Sequence, residues 1–232
     1  MGDLAFIAKI AKYSSLLLVI ITLVILVNVQ IHNNVPPNFI ETADKFDGSK
    51  WVYEENPPTV TNGSWAFQFP ALTKKLINVH TVAMFAYGRY QITFRTSGPR
   101  EPGVNYYVFL YNDQRAGGGA YNELDIPELF GSEGSYQMSI STYRDVSTSN
   151  SYRYWQSTIN FEDGATHTWS FNYQPTRIDF YVDGQLSYTW IDKPTAPIFA
   201  KPPMLFYVGG NSEGNNTSAW TWYISQIEYS PS

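Results

Sequence analysis

Short runs of β-branched and aromatic residues recur along the chain after residue 38, and no helical period of useful length appears among them. These runs include YGRYQITFRT, NYYVFLY, SYQMSIS, RIDFYV, MLFYVGG and WYISQIEY, and the turn-forming clusters SGPREPG, RAGGGA and EDGA lie between them. Short strands separated by Gly- and Pro-containing turns are typical of an antiparallel sandwich. The pattern therefore predicts an all-β domain of two packed antiparallel sheets over residues 39–232.

One hairpin of this domain can be placed from its turn residues. Asp183-Gly184 lies between the strand-like runs RIDFYV and QLSYTW. Because glycine adopts positive φ without steric cost, this dipeptide is typical of a tight two-residue turn. The sequence predicts a β-hairpin centred on these two residues.

The N-terminal region has a different pattern. Residues 13–29, YSSLLLVIITLVILVNV, contain no charge, and Lys9 and Lys12 precede them. A membrane-spanning helix needs about 17–25 apolar residues, and the small-x-small motif of a cleaved signal peptide is missing after this run. Lysines on its N-terminal side favour a cytoplasmic N-terminus and an exported C-terminal domain. We predict a membrane anchor or signal segment at residues 1–30, with the anchor favoured, and a polar linker at residues 31–38.

Composition excludes several classes of function. The 232 residues carry a formal net charge of −5 and no cluster of Lys or Arg, which argues against nucleic acid as a partner. Without cysteine the chain has no disulfide, thiolate nucleophile or zinc–cysteine site. The histidines His32, His80 and His167 lack metal-ligand spacing. Aromatic residues outnumber charged ones, at 17% against 15%, so the domain can bury a large core and must be stabilised by packing.

Three carboxylates, Glu123, Asp125 and Glu128, lie close together in the strand-like segment NELDIPELFG. Side chains alternate between the faces of a strand, so Glu123 and Asp125 share one face while Glu128 would lie on the other with Leu124. A β-bulge inserts one extra residue and would bring Glu128 to the face of the other two. Pro127 lacks an N–H and is tolerated at bulges, so the sequence predicts a bulge there.

This arrangement of carboxylates indicates a type of chemistry. Like charges at such spacing push their proton affinities apart, and we expect one of the three carboxyls to hold a proton near neutral pH. An ionised and a protonated carboxyl about 5–5.5 Å apart are what retaining glycoside hydrolysis needs. A solvated polar strand face and a calcium site are alternatives that the spacing leaves open.

The motif E-x-D-x-x-E formed by Glu123, Asp125 and Glu128 resembles the signature of glycoside hydrolase family 16, the laminarinase, lichenase and xyloglucan-transglycosylase group. Four further motifs agree with that family in order, namely FDGSKW, YGRYQITFRT, PGVNYYVFLY and HTWSFNYQPTRIDFYVDG. The resemblance extends from Phe46 to the C-terminus. It implies a concanavalin A-like jelly roll with the substrate in a groove across one sheet. It also implies that Glu123 is the nucleophile, Glu128 the general acid/base and Asp125 the carboxylate that tunes the pair.

The resemblance further implies side chains that bind substrate. An aromatic ring can pack against the C–H face of a pyranose, and core packing is the alternative role of each ring. The candidates near the groove-forming segments are Trp155, Tyr107, Tyr121 and Tyr143. Arg89 matches a Tyr-Gly-Arg-Tyr motif of the family, with a strand-face ion pair as its alternative role. His167 also matches the family pattern, and we interpret it as a structural histidine with satisfied hydrogen bonds.

Three positions depart from the family pattern. Relatives with the bulged motif usually carry Met at the position of Pro127, a difference that can alter the carboxylate spacing. Tyr173 occupies a position where a tryptophan is expected. Ser225 stands where many relatives use an Asp to help hold calcium. The sequence therefore predicts no cofactor and does not support a structural calcium ion.

Two functions from different classes remain. The first is an exported, membrane-anchored retaining endo-β-glycanase that hydrolyses β-glucan or transfers its chains, with a polysaccharide substrate and a membrane contact through residues 13–29. The second is a non-catalytic jelly-roll module that binds glycan or serves as an accessory subunit of a membrane or surface complex. The first is favoured, because the bulge argument and the resemblance lead to the same three carboxylates. In both cases we expect the C-terminal domain outside the cytoplasm, and secreted if the N-terminal segment is cleaved.

Overall fold

The computed structural model describes residue 36 and residues 38–113, 121–130, 137–144, 150–192 and 199–232. In this part of the chain all regular secondary structure is β-strand, and no helix is long and apolar enough to cross a membrane. The apolar run at residues 13–29 lies outside the described residues.

The strands of the described ranges are numbered in chain order. They are β1 (Phe39–Thr42), β2 (Trp51–Tyr53), β3 (Thr59–Thr61), β4 (Ser64–Phe69), β5 (Lys74–Phe85), β6 (Gly88–Thr96), β7 (Val104–Asp113), β8 (Tyr121–Leu129), β9 (Gln137–Tyr143), β10 (Asn150–Gln156), β11 (His167–Gln174), β12 (Arg177–Val182), β13 (Gln185–Ile191), β14 (Met204–Glu213) and β15 (Trp220–Pro231).

These strands form two sheets in which every pairing is antiparallel. The first, here called the carboxylate sheet because it contains β8, has the order β10-β9-β8-β7-β14-β5-β2. The second, here called the back sheet, has the order β13-β12-β11-β6-β15-β4-β3, with β1 also paired to β15. The predicted all-β sandwich of two antiparallel sheets is confirmed.

Alternation along each strand decides which side chains form the core between the sheets. In β7, Val104, Tyr106, Val108 and Leu110 are fully buried, whereas the residues between them are only half-buried. Successive side chains of a strand point to opposite faces, so the half-buried set lies on the face turned away from the core. We call this outer face of the carboxylate sheet the carboxylate face.

Large aromatic side chains fill the space between the two sheets. Tyr106 of β7 stacks on Trp169 of β11 at 5.7 Å between ring centroids, and Trp222 of β15 packs against both rings. The Tyr106 hydroxyl donates a 2.6 Å hydrogen bond to buried Glu162, and Arg100 lies 3.8 Å from the same carboxylate. A buried phenol needs a hydrogen-bond partner, so this contact lets Tyr106 cross the core.

The turn between β12 and β13 has the predicted geometry. Asp183 and Gly184 both have positive φ, at 49° and 76°, and Val182 pairs with Gln185 across the two-residue turn. Positive φ at both central residues is what a type I′ hairpin requires, and its twist matches that of the flanking strands. The hairpin predicted from Asp183-Gly184 is confirmed.

His167 joins this hairpin to the loop before β11. Its Nδ1 lies 2.8 Å from Asp183 and its Nε2 lies 3.0 Å from Asp163, so both ring nitrogens face carboxylate oxygens. Both nitrogens can donate only when the imidazole is charged. Burial lowers the pKa of His167, but the hydrogen bonds to the two aspartates and their negative charges together raise it by more, and the net effect is a pKa above its ordinary value. His167 is a satisfied structural histidine, as predicted.

The charged His167 should make the stability of the domain depend on pH. Because its pKa is raised in the folded protein, its stabilisation is complete below the ordinary value of 6.5 and is lost as the pH rises through the raised pKa. Urea unfolding of wild type and His167→Gln at about pH 5.5 and about pH 9 measures this. We expect the wild type to be more stable than the variant at the acidic pH and the difference to shrink at the alkaline pH. Equal differences at both would show that the ring is not charged.

Candidate functional site

A β-bulge interrupts β8 between Asp125 and Glu128. On the β7 side, Asp125 faces Phe109 and Glu128 faces Tyr107, so a step of two residues in β7 matches a step of three in β8. The β9 side shows the same mismatch. The extra residue lies in the segment that contains Pro127, whose peptide bond to Ile126 is cis. The bulge predicted at Pro127 is confirmed.

This bulge places Glu123, Asp125 and Glu128 on the carboxylate face together, and we call these three residues the carboxylate trio. Leu124 and Ile126 point the other way and are completely buried in the core. Asp125, in the middle, is only 7% exposed, whereas the two glutamates are half-buried. One nearly buried carboxyl thus lies between two that solvent can reach.

The environment of Asp125 favours its protonated form. Burial raises the pKa of Asp125 well above its usual range, and the negative charges of Glu123 and Glu128 raise it further. A hydrogen bond that the Ser141 hydroxyl donates to this carboxyl acts in the opposite direction but does not cancel the shift. Burial and the neighbouring charges therefore favour the protonated form of Asp125.

Aromatic rings cover the carboxylate face beside the trio. Phe109, which faces Asp125, stacks on Tyr207 of β14 at 4.4 Å between centroids and an interplanar angle of 17°. Tyr207 in turn packs against His80 of β5 at 4.7 Å. Burial raises the pKa of Tyr207 to about 12, so its phenol is neutral. This row extends the face from β7 across β14 to β5.

A second row on the same face consists of hydrogen-bonding groups. The hydroxyl of Tyr107, opposite Glu128, donates to Asn78 Oδ1 at 2.9 Å, and Asn78 Nδ2 donates to Glu54 at 3.1 Å. Gly209 of β14 lies between them, and a Cβ there would meet Asn78 Oδ1 at 2.1 Å. Only glycine lets these two side chains meet across β14.

The structure brings three of the predicted aromatic residues to the carboxylate face. Tyr107 faces Glu128, and Tyr143 of β9 faces Glu123. Tyr121 begins β8, two residues before Glu123 on the same face, and its ring lies 5.5 Å from that of Tyr143. These rings border the carboxylates on both sides of β8.

Trp155 is not brought to this face. It pairs with Met138, which is completely buried, so its ring lies on the core side of β10. There it stacks on Tyr188 at 4.7 Å, and its Nε1 donates to Ser187 Oγ at 3.1 Å. The predicted sugar-binding role therefore loses its support, because the alternation of β10 turns Trp155 toward the back sheet.

The residue before it, Tyr154, is one that the sequence reasoning missed. Tyr154 faces Ser139 on the carboxylate face and is 54% exposed. Ser139 in turn faces Glu128, so the exposed ring lies in the same cross-strand row as that carboxylate. Assigning Met138 to the core and pairing the two strands in register would have identified it.

Arg89 also lies away from the trio. It is exposed on the outer face of the back sheet, where its Nη2 lies 3.3 Å from Gln91 and 3.4 Å from Ser170. The neighbouring Tyr90 is buried in the core, and a Cβ at Gly88 would meet the carbonyl oxygen of Ser230 at 2.4 Å. Packing explains the Tyr-Gly-Arg-Tyr motif, and the predicted substrate contact of Arg89 is not supported.

No group of three or more His, Cys, Asp or Glu side chains suited to a metal ion occurs within the described ranges. Ser225, where the family pattern places a calcium ligand, donates its hydroxyl to the carbonyl of Thr93 at 3.2 Å.

Asp125→Asn should stabilise the folded protein at neutral pH. Because the pKa of Asp125 is raised above its ordinary 3.8, the folded state binds more protons than the unfolded state, and stability falls as the pH rises from that value to the raised pKa. Asparagine avoids this loss and can still accept the Ser141 hydrogen bond. Urea unfolding should show the variant's advantage growing between about pH 3.5 and about pH 7. Asp44→Asn, at an exposed position outside this sheet, is the control; an equal trend there would contradict the assignment.

Several solved structures have a fold similar to that of this chain. The chain is similar in structure to a β-1,3-1,4-glucanase (lichenase) from a mouse hindgut metagenome, with a TM-score of 0.67 and 17% identity over 85% of this chain and all of that one. A Bacillus licheniformis β-glucanase gives a TM-score of 0.67 and 15% identity over 85% and 99% of the two chains. The Crh5 transglycosylase gives a TM-score of 0.64 and 12% identity over 85% of both chains. At these identities the likeness concerns the jelly-roll fold.

A search of curated proteins found no match. The sequence model of glycosyl hydrolases family 16, however, matches residues 46–230, which include every described strand except β1 and the last residue of β15. This match covers most of the chain and contains the three carboxylates. The chain belongs to glycosyl hydrolase family 16.

Proposed function

We propose that the protein is a retaining endo-β-glycanase that acts on β-linked glucan, as a hydrolase or as a transglycosylase. The observation that carries this proposal is the carboxylate trio, in which a nearly buried Asp125 lies between two half-exposed glutamates on one face of β8. Family membership supports glycan chemistry in general. The retaining mechanism and the substrate rest on the arguments below.

The two glutamates have different roles in this mechanism. Glu123 attacks the anomeric carbon while Glu128 gives its proton to the glycosidic oxygen, so the bond to the leaving sugar breaks and a glycosyl ester forms on Glu123. Glu128, now ionised, then takes a proton from an incoming hydroxyl, which attacks the same carbon and releases Glu123. Water as the incoming group completes hydrolysis, and a sugar hydroxyl completes transglycosylation.

Asp125 supports both roles by staying neutral. A negative charge on Asp125 would repel the ionised Glu123, and the raised pKa of Asp125 disfavours that charge. Pairs of carboxyls whose environments separate their pKa values are typical of glycosidase sites. The buried position of Asp125 and the exposed positions of its neighbours match this division of roles.

The positions of the two glutamates along β8 indicate how a polysaccharide would lie on the carboxylate face. Both glutamates must flank the reacting bond, and they follow one another along β8, so the sugar chain would cross β8 rather than follow it. On one side of the reacting bond the polysaccharide would pass over β7, β14 and β5, and on the other side it would pass over β9 and β10. Three strand spacings separate β8 from β5, about 14 Å, which suits an enzyme that binds the interior of a long chain.

The choice of a β-glucan follows from the surface and from the similar proteins. Neutral groups such as Tyr107, Asn78 and Tyr207 line the carboxylate face toward β5 and can bind sugar hydroxyls and C–H faces. Two of the similar structures are named as glucanases and one as a transglycosylase, so both reaction types remain within the proposal.

We also propose that residues 13–29 anchor the protein in a membrane with this domain outside the cytoplasm, on the strength of their uncharged apolar sequence.

The glutamates can be tested by isosteric substitution. Glu123→Gln removes the nucleophile and Glu128→Gln the acid, so each should lower kcat by at least about 10²–10⁴-fold while the protein stays folded. The assay is reducing-sugar release from laminarin, mixed-linkage glucan, xyloglucan and agarose. Glu228→Gln on the back sheet is the matched control and should keep full activity. A folded wild type without activity on any glycan would favour the non-catalytic module instead.

Retention can be tested separately from activity. If Glu123 forms a glycosyl ester, two displacements at the anomeric carbon return the β configuration. ¹H NMR in the first minutes of hydrolysis should therefore show the β-anomer before mutarotation produces the α-anomer. Early appearance of the α-anomer would show single displacement by water and would remove the nucleophilic role of Glu123.

Tyr154 should contribute to glycan binding. Its exposed ring on the carboxylate face offers a flat apolar surface beside Glu128. Tyr154→Ala should raise KM or the dissociation constant by several-fold, as expected for the loss of one ring contact, whereas Tyr154→Phe should retain the ring and the affinity. Tyr53→Ala, which removes a tyrosine of 50% exposure on β2, is the control. Equal affinities of wild type and Tyr154→Ala in affinity electrophoresis would place the sugar elsewhere.

A further inference from the structure

Two serines of β9 contact the bulge of β8 from the side. Ser139 faces Glu128 and Ser141 faces Asp125, so one serine lies at each end of the bulge. Both are buried, with exposures of 0% and 1%. Each donates a hydrogen bond from its side chain to the residue that it faces.

Ser139 supplies a hydrogen bond to the main chain of β8. A bulge interrupts the ladder of backbone hydrogen bonds, and Pro127 has no N–H to contribute. Buried carbonyl groups nevertheless need partners. The Ser139 hydroxyl donates to the carbonyl oxygen of Glu128 at 3.0 Å, and so ties the backbone of that residue to β9.

Ser141 acts on a side chain instead. Its hydroxyl donates to Asp125 Oδ2, which orients the carboxyl group within the sheet. A hydroxyl donor stabilises the ionised form of a carboxyl, so this contact lowers the pKa of Asp125 against the opposite effects of burial and of the two glutamates. The contact therefore limits how tightly Asp125 holds its proton.

We infer that Ser139 and Ser141 are positioning residues for the reaction proposed above, Ser139 by fixing the backbone of Glu128 and Ser141 by fixing the carboxyl of Asp125. The inference rests on the proposed function. Neither serine has to touch the sugar, because each acts through the residue that it holds. Their effect on turnover follows from geometry, since a displacement of about 1 Å at a reacting group can cost on the order of 10²-fold in rate.

Other titratable groups lie on the same face of the sheet as Asp125 and affect the interpretation of a pH experiment. They are Glu123 and Glu128 on β8 itself, and the tyrosines opposite these two glutamates, which are Tyr107 and Tyr111 on β7 and Tyr143 on β9; Asp125 itself lies opposite Phe109 and Ser141. Burial raises the pKa of Tyr107, so this phenol stays neutral over the range in which carboxyls titrate. A change at Ser141 therefore acts mainly on the three carboxyls.

The experiment compares Ser139→Ala and Ser141→Ala with Ser170→Ala, which removes an equally buried serine from the back sheet. On the best substrate of the glycan panel we expect kcat to fall about ten- to a hundred-fold in the first two variants, with KM changed less than about two-fold. Ser170→Ala should leave kcat unchanged. If all three variants keep wild-type kcat while the wild type is active, the serines are not positioning residues and the proposed function still stands.

A second readout does not require catalysis. In protein labelled with ¹³C at the Asp carboxyl carbons, the Asp125 signal of Ser141→Ala should titrate at higher pH than in the wild type, and Ser170→Ala should not change it. Ser141→Thr retains the hydroxyl and should keep the wild-type titration. An unshifted Asp125 signal in Ser141→Ala would overturn the role of Ser141. A shifted signal in a protein inactive on every glycan would show that the contact holds and that the proposed function fails.

Discussion

The one extra residue in β8 is the constraint on which the candidate site depends. A regular strand would turn Glu128 toward the fully buried side chains of Leu124 and Ile126, and burying an unpaired carboxylate there would cost several kcal/mol. The bulge removes this conflict. It lets β8 form a wall of the core with one set of residues and carry three carboxyls outward with the other.

The rest of the fold keeps the bulge in place. β8 lies inside its sheet between β7 and β9, and both neighbours have the same two-against-three mismatch, so it cannot be relieved by a shift on one side alone. Beneath β7, Tyr106 crosses the core to Glu162 and stacks against the tryptophans of the back sheet. Aromatic packing in the core therefore holds in place the sheet on which the three carboxylates are aligned.

Local chemistry made part of this structure predictable. Pro127 pointed to the bulge and Asp183-Gly184 to the turn, because each residue type has a backbone requirement that few conformations meet. The substrate-binding roles predicted for Trp155 and Arg89 depended on which face of each strand is buried. That information comes from the register with a neighbouring strand, and a local motif does not contain it.

Contacts between strands that are distant in the chain could not be predicted from the sequence for the same reason. Asn78 contacts Tyr107 from a strand that is distant in the chain, across a position where only glycine leaves room, and Asn78 in turn donates to Glu54. The hydroxyls that hold the bulge belong to two serines in an otherwise ordinary strand, and serine is too common a residue to attract notice. Both features became visible only when the strands were placed side by side.

The bulge also has an evolutionary consequence. Because side chains alternate with a period of two, losing a single residue between Asp125 and Glu128 would restore a regular strand in which Glu128 lies two positions after Asp125, so all three carboxyls would stay on the outer face while most of the sheet kept its pairing. A one-codon deletion could thus convert the bulged strand into an unbulged one without turning a carboxyl into the core. A one-codon insertion at the same place in an unbulged strand could restore the bulge.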